Sequence, residues 1–334
     1  MQINKGLGWR KHTPEEKAKI KVVRFSRICQ IVPPDNYDQR SKWPPVYDQG
    51  EEGSCTANGA GGVIDFRLKL THYPWPFTPS RAFIYYNTRL LDGDDTSQDT
   101  GGTISGAINA IAQDGVCPED GNPAWSMPYV SGNYAEVPTP AMYKDALLHV
   151  ALQHEAVPQD EEAVKALLYQ DIPIVFGFQV YSSFMTEAVA NSGVMPVPHP
   201  NESLQGGHCV VAVGYLSNYA AGSQGITDWI ICRNSWGFAW GENGYFLMPL
   251  KEVFLNPAMA SDFGIITDIG YLTEKISKEK SMGTSVQQII QDIIEAATAL
   301  QTFANSPTGQ ELIAELEAIL AKIKATGAKM SLKG

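Results

Sequence analysis

The stretch YDQGEEGSCTANGAGG, residues 47–62, sets Cys55 behind a Gly-Ser pair and ahead of an apolar run that tolerates three glycines. That run, from Thr56 to about Leu70, carries Ala60, Val63, Ile64, Phe66, Leu68 and Leu70 and reads as a buried helix. Gly59, Gly61 and Gly62 each weaken such a helix by about 1 kcal/mol relative to alanine, so another element must approach it closely. Cys55 stands at the helix N-terminus. The positive end of the helix dipole there favours thiolate over thiol, so the expected sulfur is a nucleophile of lowered pKa.

A thiolate that attacks a carbonyl needs a base, a group to orient that base, and donors for the oxyanion. Of the six histidines, His12, His72, His149, His154 and His199 read as surface or capping residues in polar, turn or proline-rich contexts. His208 differs, because LQGGHCVVAVGYL places it after Gly206-Gly207 at the entry of an apolar strand. Asn234 closes another apolar strand in WIICRNSWGFAWGENGYFLM, and two adjacent strands would set the two side chains together. Cys209 and Cys232 lie inside these strands and read as small core residues. Cys29, Cys55, Cys117, Cys209 and Cys232 are odd in number, widely spaced and without a C-x-x-C pair, which supports neither a zinc site nor a disulfide framework.

The elements that must position these residues fall into three compositional zones. Residues 1–32 are basic and polar and end in the strand-like KIKVVRFSRICQIV; residues 33 to about 272 mix helix, strand, Trp, Gly and Pro as a packed domain does. From Ser277 the composition turns to Ala, Ile, Leu, Glu, Gln and Lys. Val286, Ile289, Ile290, Ile293, Ile294, Ala297 and Leu300, then Leu312, Ile313, Leu316, Ile319, Leu320 and Ile323, recur at helical spacing around the break NSPTGQE. The pattern predicts a helical hairpin over 273–334, packed on its parent domain or serving self-association or docking. A net charge of −11 argues against a nucleic-acid partner. No apolar run reaches the roughly 18 residues of a membrane span, and the start lacks a secretory h-region, so a cytoplasmic location is the default expectation.

Together these blocks resemble the papain-like cysteine peptidases. QGEEGSC is similar to that family's Gln-Gly-x-x-Gly-Ser-Cys, DTGGTISGAINAIAQDGVCPED to its Gly-Gly substrate shelf and following helix, and GGHCVVAVGY and NSWGFAWGENGYF to its His and Asn motifs. The resemblance implies an α+β two-lobed fold, with a mainly helical lobe over about 50–145 and a β-barrel-like lobe over about 146–272. It implies Cys55 as nucleophile, His208 as base, Asn234 as the orienting group and Gln49 as an oxyanion donor, with Trp236 covering the Asn–His bond. Gly101, Gly102 and Gly207 would bind substrate backbone, and Asp268 would lie near the floor of the pocket for the residue one before the cleaved one.

The implied activity is hydrolysis of peptide or protein substrates through a thioester, by an endopeptidase rather than an exopeptidase, with no cofactor and no metal. The alternatives are a catalytically silent peptide-binding scaffold, or an amidase or transacylase on the same fold. The family's cysteines are replaced at Glu52, Asp92 and Asp99, and Thr56 stands where Trp is frequent. Only about 32 residues precede the matched region, so an inhibitory propeptide would have to be short, and KVVRFSRICQIV is the expected inhibitory strand. The acidic stretch LLDGDDTSQDTGG predicts a preference for Lys or Arg near the scissile bond.

Overall fold

The computed structural model describes residues 5–15, 32–73 and 76–270. Cys29, the strand-like KIKVVRFSRICQIV expected over residues 19–32 apart from Val32, and the expected C-terminal hairpin lie outside the described residues. After the short strand β1 (Tyr37–Asp38) come four helices: α1 (Cys55–Leu70), α2 (Arg81–Leu91), α3 (Ile104–Gln113) and α4 (Pro140–Ala146). Three of them begin on a side-chain cap. The hydroxyls of Ser80, Thr103 and Thr139 accept from Phe83, Gly106 and Met142 N–H, satisfying donors that the first turn cannot use.

The strands are β1 (Tyr37–Asp38), β2 (Val150–Ala156), β3 (Ile174–Tyr181), β4 (Leu204–Leu216), β5 (Trp229–Arg233), β6 (Tyr245–Pro249) and β7 (Ala260–Gly270), with α5 (Glu161–Tyr169) and α6 (Glu187–Ser192) between them. They form one antiparallel sheet in the order β2-β7-β3-β4-β5-β6, with β1 added to β4. The architecture is the α+β fold that the resemblance implied.

Alternation along the strands builds two cores. Phe176, Phe178, Val210 and Ala212 face one side with Val164, Leu167 and Leu168 of α5. Val175, Cys209, Val211 and Val213 face the other, against Ala57, Ala60, Val63 and Ile64 of α1 and Ile104, Ile108 and Ile111 of α3. Close packing explains Gly59 and Gly61, whereas a Cβ on Gly62 would meet only ordinary contacts at 3.6 Å and beyond. A Cβ on Gly59 would sit 3.2 Å from the Cys209 sulfur and 3.4 Å from Val175, and one on Gly61 would sit 3.3 Å from Ile84. The sheet therefore comes close enough to α1 to bring β4 beside Cys55.

Candidate active site

Cys55 is the first residue of α1 and is fully buried. Ser54 precedes it as the helix cap, yet its hydroxyl makes no capping bond and pairs instead with Tyr129 Oη at 2.7 Å. The N–H groups of Cys55 and Thr56 are left near the sulfur, and those of Cys209 and Gly8 approach it as well. Burial nevertheless outweighs them and pushes the thiol up to about 11. This corrects the expectation of a lowered pKa: the helix end and neighbouring amides stabilise thiolate, but the site is dry.

One residue before Cys209, His208 is also fully buried, and its Nε2 lies 2.8 Å from Asn234 Oδ1. Ser235 N–H donates to the same oxygen at 2.8 Å, fixing the amide so that its carbonyl faces the imidazole. Nε2–H is then the donor, and Nδ1, buried with no protein partner among the described residues, is the unprotonated nitrogen. Trp236 stacks on the ring with centroids 4.7 Å apart, and Phe178 meets it edge-on at 5.8 Å. In these surroundings burial lowers the His208 pKa to about 4, against the opposing effect of the Asn234 bond.

Gln49 is buried beside this pair. Its Oε1 accepts from Ser235 Oγ at 2.5 Å, which turns Nε2 toward the carbonyls of Glu52 at 2.8 Å and Gly6 at 3.1 Å. The loop between Gln49 and Cys55 is tied down where the resemblance would have placed a disulfide. Asp99 accepts from Gly53 N–H at 2.9 Å and from Tyr85 Oη, and Tyr85 Oη accepts from Gly101 N–H at 3.0 Å. The Glu52 carboxylate accepts from Gly132 N–H at 2.9 Å. Cys55, Cys117, Cys209 and Cys232 are all free and buried.

Residues 5–13 lie across the site as a strap. Gly102 N–H donates to Gly8 O at 2.8 Å, Arg10 N–H to Gly102 O at 3.0 Å, and Trp9 N–H to Gly207 O at 3.1 Å. Gly102 and Gly207 thus hold the strap's backbone from both sides, in a parallel pairing of Trp9 with Gly102. The Trp9 ring fills a pocket over Gly177 and Gly207. A Cβ on Gly177 would overlap the indole, and one on Gly207 would lie 2.8 Å from its Cε3. On the other side of Cys55, Gly6 N–H donates to Gly50 O at 3.1 Å and Lys5 pairs with Asp48 at 2.8 Å.

Several expectations change here. The described segment in the groove is residues 5–13, and it approaches closely: a Cβ on Gly6 or Gly8 would overlap the carbonyls of Glu52 and Gly53. KVVRFSRICQIV, expected over the cleft, lies outside the described residues except for Val32. Asp268 is not at the pocket. It lies beside Arg67 near the far end of α1, about 18 Å along the helix from Cys55 at 1.5 Å per residue. His12, expected at the surface, is buried on the strap. Its N–H donates to Asp262 Oδ2 at 2.8 Å, its Nδ1 lies 3.3 Å from Asp262 Oδ1, and its Nε2 accepts from Ser105 N–H at 3.1 Å. His149 is also buried, against Phe77 and Tyr73. The spaced glycines of GLGW were the missed signal for the strap, and nothing local marked Gly177.

The papain family cysteine protease profile matches residues 33–259, more than half of the chain. The chain belongs to that family. A peptidase C1-like protein of Acanthamoeba polyphaga mimivirus is 36% identical over 230 residues, covering 66% of this chain and 69% of the relative. The gut-specific cysteine proteinase of Caenorhabditis elegans is 27% identical over 262 residues, covering 70% and 73%. Among solved structures, xylellain, a cysteine protease from Xylella fastidiosa, superposes with a TM-score of 0.66 at 33% identity, covering 81% of this chain and 98% of that one. This papain-family chain has, among its described residues, no helix long and apolar enough to cross a membrane.

Proposed function

We propose that the chain is an endopeptidase working through Cys55, His208 and Asn234, and that its own residues 5–13 hold it inactive. The observation that carries this reading is a polypeptide seated as a strand across Cys55, between the Gly102 and Gly207 backbones, with chain continuing on both sides of the sulfur. A groove open at both ends suits cleavage within a chain. The strap's parallel pairing runs opposite to the antiparallel arrangement in which a single substrate residue exchanges both bonds with Gly102, so it occupies the groove without presenting a scissile bond.

With the strap displaced, water and substrate reach the site and the burial that keeps thiol and imidazole neutral is relieved. The Cys55 proton passes to His208 Nδ1, and the thiolate attacks the scissile carbonyl carbon. The Gln49 amide, freed from Gly6 O, and the Cys55 N–H stabilise the oxyanion. Collapse breaks the C–N bond as His208 protonates the leaving amine, giving a thioester. Water then loses a proton to His208 as it attacks the thioester, and the acid and the Cys55 thiol are released. Asn234 keeps Nε2–H engaged throughout, so Nδ1 alone exchanges protons.

The Trp9 pocket makes an apolar, aromatic-sized residue the preferred second residue before the cut, since the buried indole N–H finds no acceptor there and Phe would fit without that loss. A peptide-library profile tests the reading. Wild type should cleave internal bonds after such residues, and Cys55→Ala should cleave none; turnover by Cys55→Ala would overturn it.

A further inference from the structure

The strap also marks a charge-selective position beyond the Trp9 pocket. Arg10 follows Trp9 and leaves the groove toward α2 and the loop after it. Its Nη2 lies 2.8 Å from Asp92 Oδ2 and 2.6 Å from Asp94 Oδ2, and its Nη1 lies 3.3 Å from Asp94 Oδ1. The carboxylates are held by partners besides the guanidinium. Asp92 accepts from Thr103 N–H at 2.7 Å and Thr103 Oγ1 at 2.8 Å, and Thr100 Oγ1 reaches Asp94 at 3.2 Å. Their side chains are 9% and 17% exposed, against 40% for Arg10. Acidic residues on a loop would by themselves say nothing of a ligand. Here a guanidinium sits on them, carried by a segment whose backbone is held at both edges of the groove.

We infer that Asp92 and Asp94 form a substrate subsite for a basic side chain, Arg in preference to Lys, at the third residue before the cleaved bond. The inference rests on the endopeptidase reading for its orientation. Because Arg10 N–H is bonded to Gly102 O, its side chain leaves the groove one residue beyond the aromatic pocket, where a substrate's next residue outward would emerge. Two carboxylates facing a forked guanidinium favour Arg over the point charge of Lys. The strap and the substrate then compete for one ion pair. Weakening Arg10 frees the groove while the selectivity stays with Asp94.

Peptides identical except for Arg, Lys, Gln or Glu at that third position are assayed against full-length wild type, Arg10→Gln, Asp94→Asn and the Arg10→Gln/Asp94→Asn double variant. In Arg10→Gln, kcat/KM for the Arg peptide should exceed that for the Gln peptide by about tenfold, with Glu poorest. In the double variant the Arg to Gln ratio should fall toward one, while overall activity stays raised in both. Equal use of Arg and Gln by Arg10→Gln, or a preference that survives Asp94→Asn, would overturn the subsite. If no variant cleaves any peptide, the endopeptidase reading has failed separately. Fluorescence polarisation of labelled Arg and Gln peptides on Arg10→Gln/Cys55→Ala then reads the same ratio without turnover, with equal affinities counting against the subsite.

Discussion

On the Cys55 side of the cleft, the loop from Gln49 to Ser54 is held by polar bonds: Asp99 to Gly53 and Tyr85, Glu52 to Gly132, Ser54 to Tyr129 and Gln49 to Ser235. On the His208 side, the ring is clamped by Trp236 and Phe178, which pack in turn on Phe184, Trp240 and Phe246. The difference follows from what each side presents. On the proposed mechanism, the Cys55 side would aim N–H donors at a developing oxyanion, which calls for backbone and amides fixed by hydrogen bonds. On the same proposal, His208 would keep one ring nitrogen bonded and the other open to the thiol, which apolar walls favour by offering no competing partner.

The comparison sets the order of expected losses. Trp236→Ala removes a buried ring shared by His208, Phe184 and Trp240, and should cost about 3–5 kcal/mol in urea unfolding together with most of the activity. A loss below about 1 kcal/mol would show that the aromatic wall does not hold the imidazole. His149 tests the same physics outside the cleft. Burial lowers its pKa to about 4, so the unfolded chain takes up a proton below about pH 6.5 that the folded chain refuses until about 4. Stability is full above pH 6.5 and falls through this window, by up to about 3 kcal/mol. His149→Gln should make the curve shallower between pH 6.5 and 4, with buried His208 supplying the slope that remains, and an unchanged slope would assign the acid loss elsewhere.

The polar side should respond by degrees. Asp99→Ala leaves Gly53 N–H and Tyr85 Oη without their acceptor and should cost about 1–3 kcal/mol, with kcat falling more than KM rises as the oxyanion loop loosens. Asp99→Asn keeps one acceptor oxygen and should recover much of both. Equal damage from the two variants would mean that the carboxylate's charge, rather than its bonds, secures the loop.

The same contrast explains what the sequence disclosed. Cys55, His208, Asn234 and Gln49 are spaced by short motifs, and their placement follows from α1, β4 and β5, whose apolar periodicity is plain. The need for a close neighbour on α1 was legible in Gly59 and Gly61 and is met by Cys209, Val175 and Ile84. Contacts made across the groove were not legible. Strand propensity drew attention to KVVRFSRICQIV, outside the described residues but for Val32, while the close packing of Gly6 and Gly8 in GLGW against Glu52 and Gly53 went unread. Asp268 was assigned to a pocket that Gly177 and Gly207 in fact line, because no local pattern reports which residues a distant tryptophan will meet. His12 and His149 became buried through partners that are remote in sequence.

On the proposed reading, residues 5–13 cover a reactive Cys55. Trp9 is the strap's principal apolar anchor, buried at 7% exposure, and truncating such a residue costs about 3–5 kcal/mol, enough to raise the uncovered population well over tenfold. Iodoacetamide labelling at near-neutral pH, read residue by residue by mass spectrometry, measures this directly in wild type and Trp9→Ala. Cys55 should label at least about tenfold faster in Trp9→Ala, while Cys117, Cys209 and Cys232 keep their slow rates. An unchanged Cys55 rate in folded Trp9→Ala would contradict the claim.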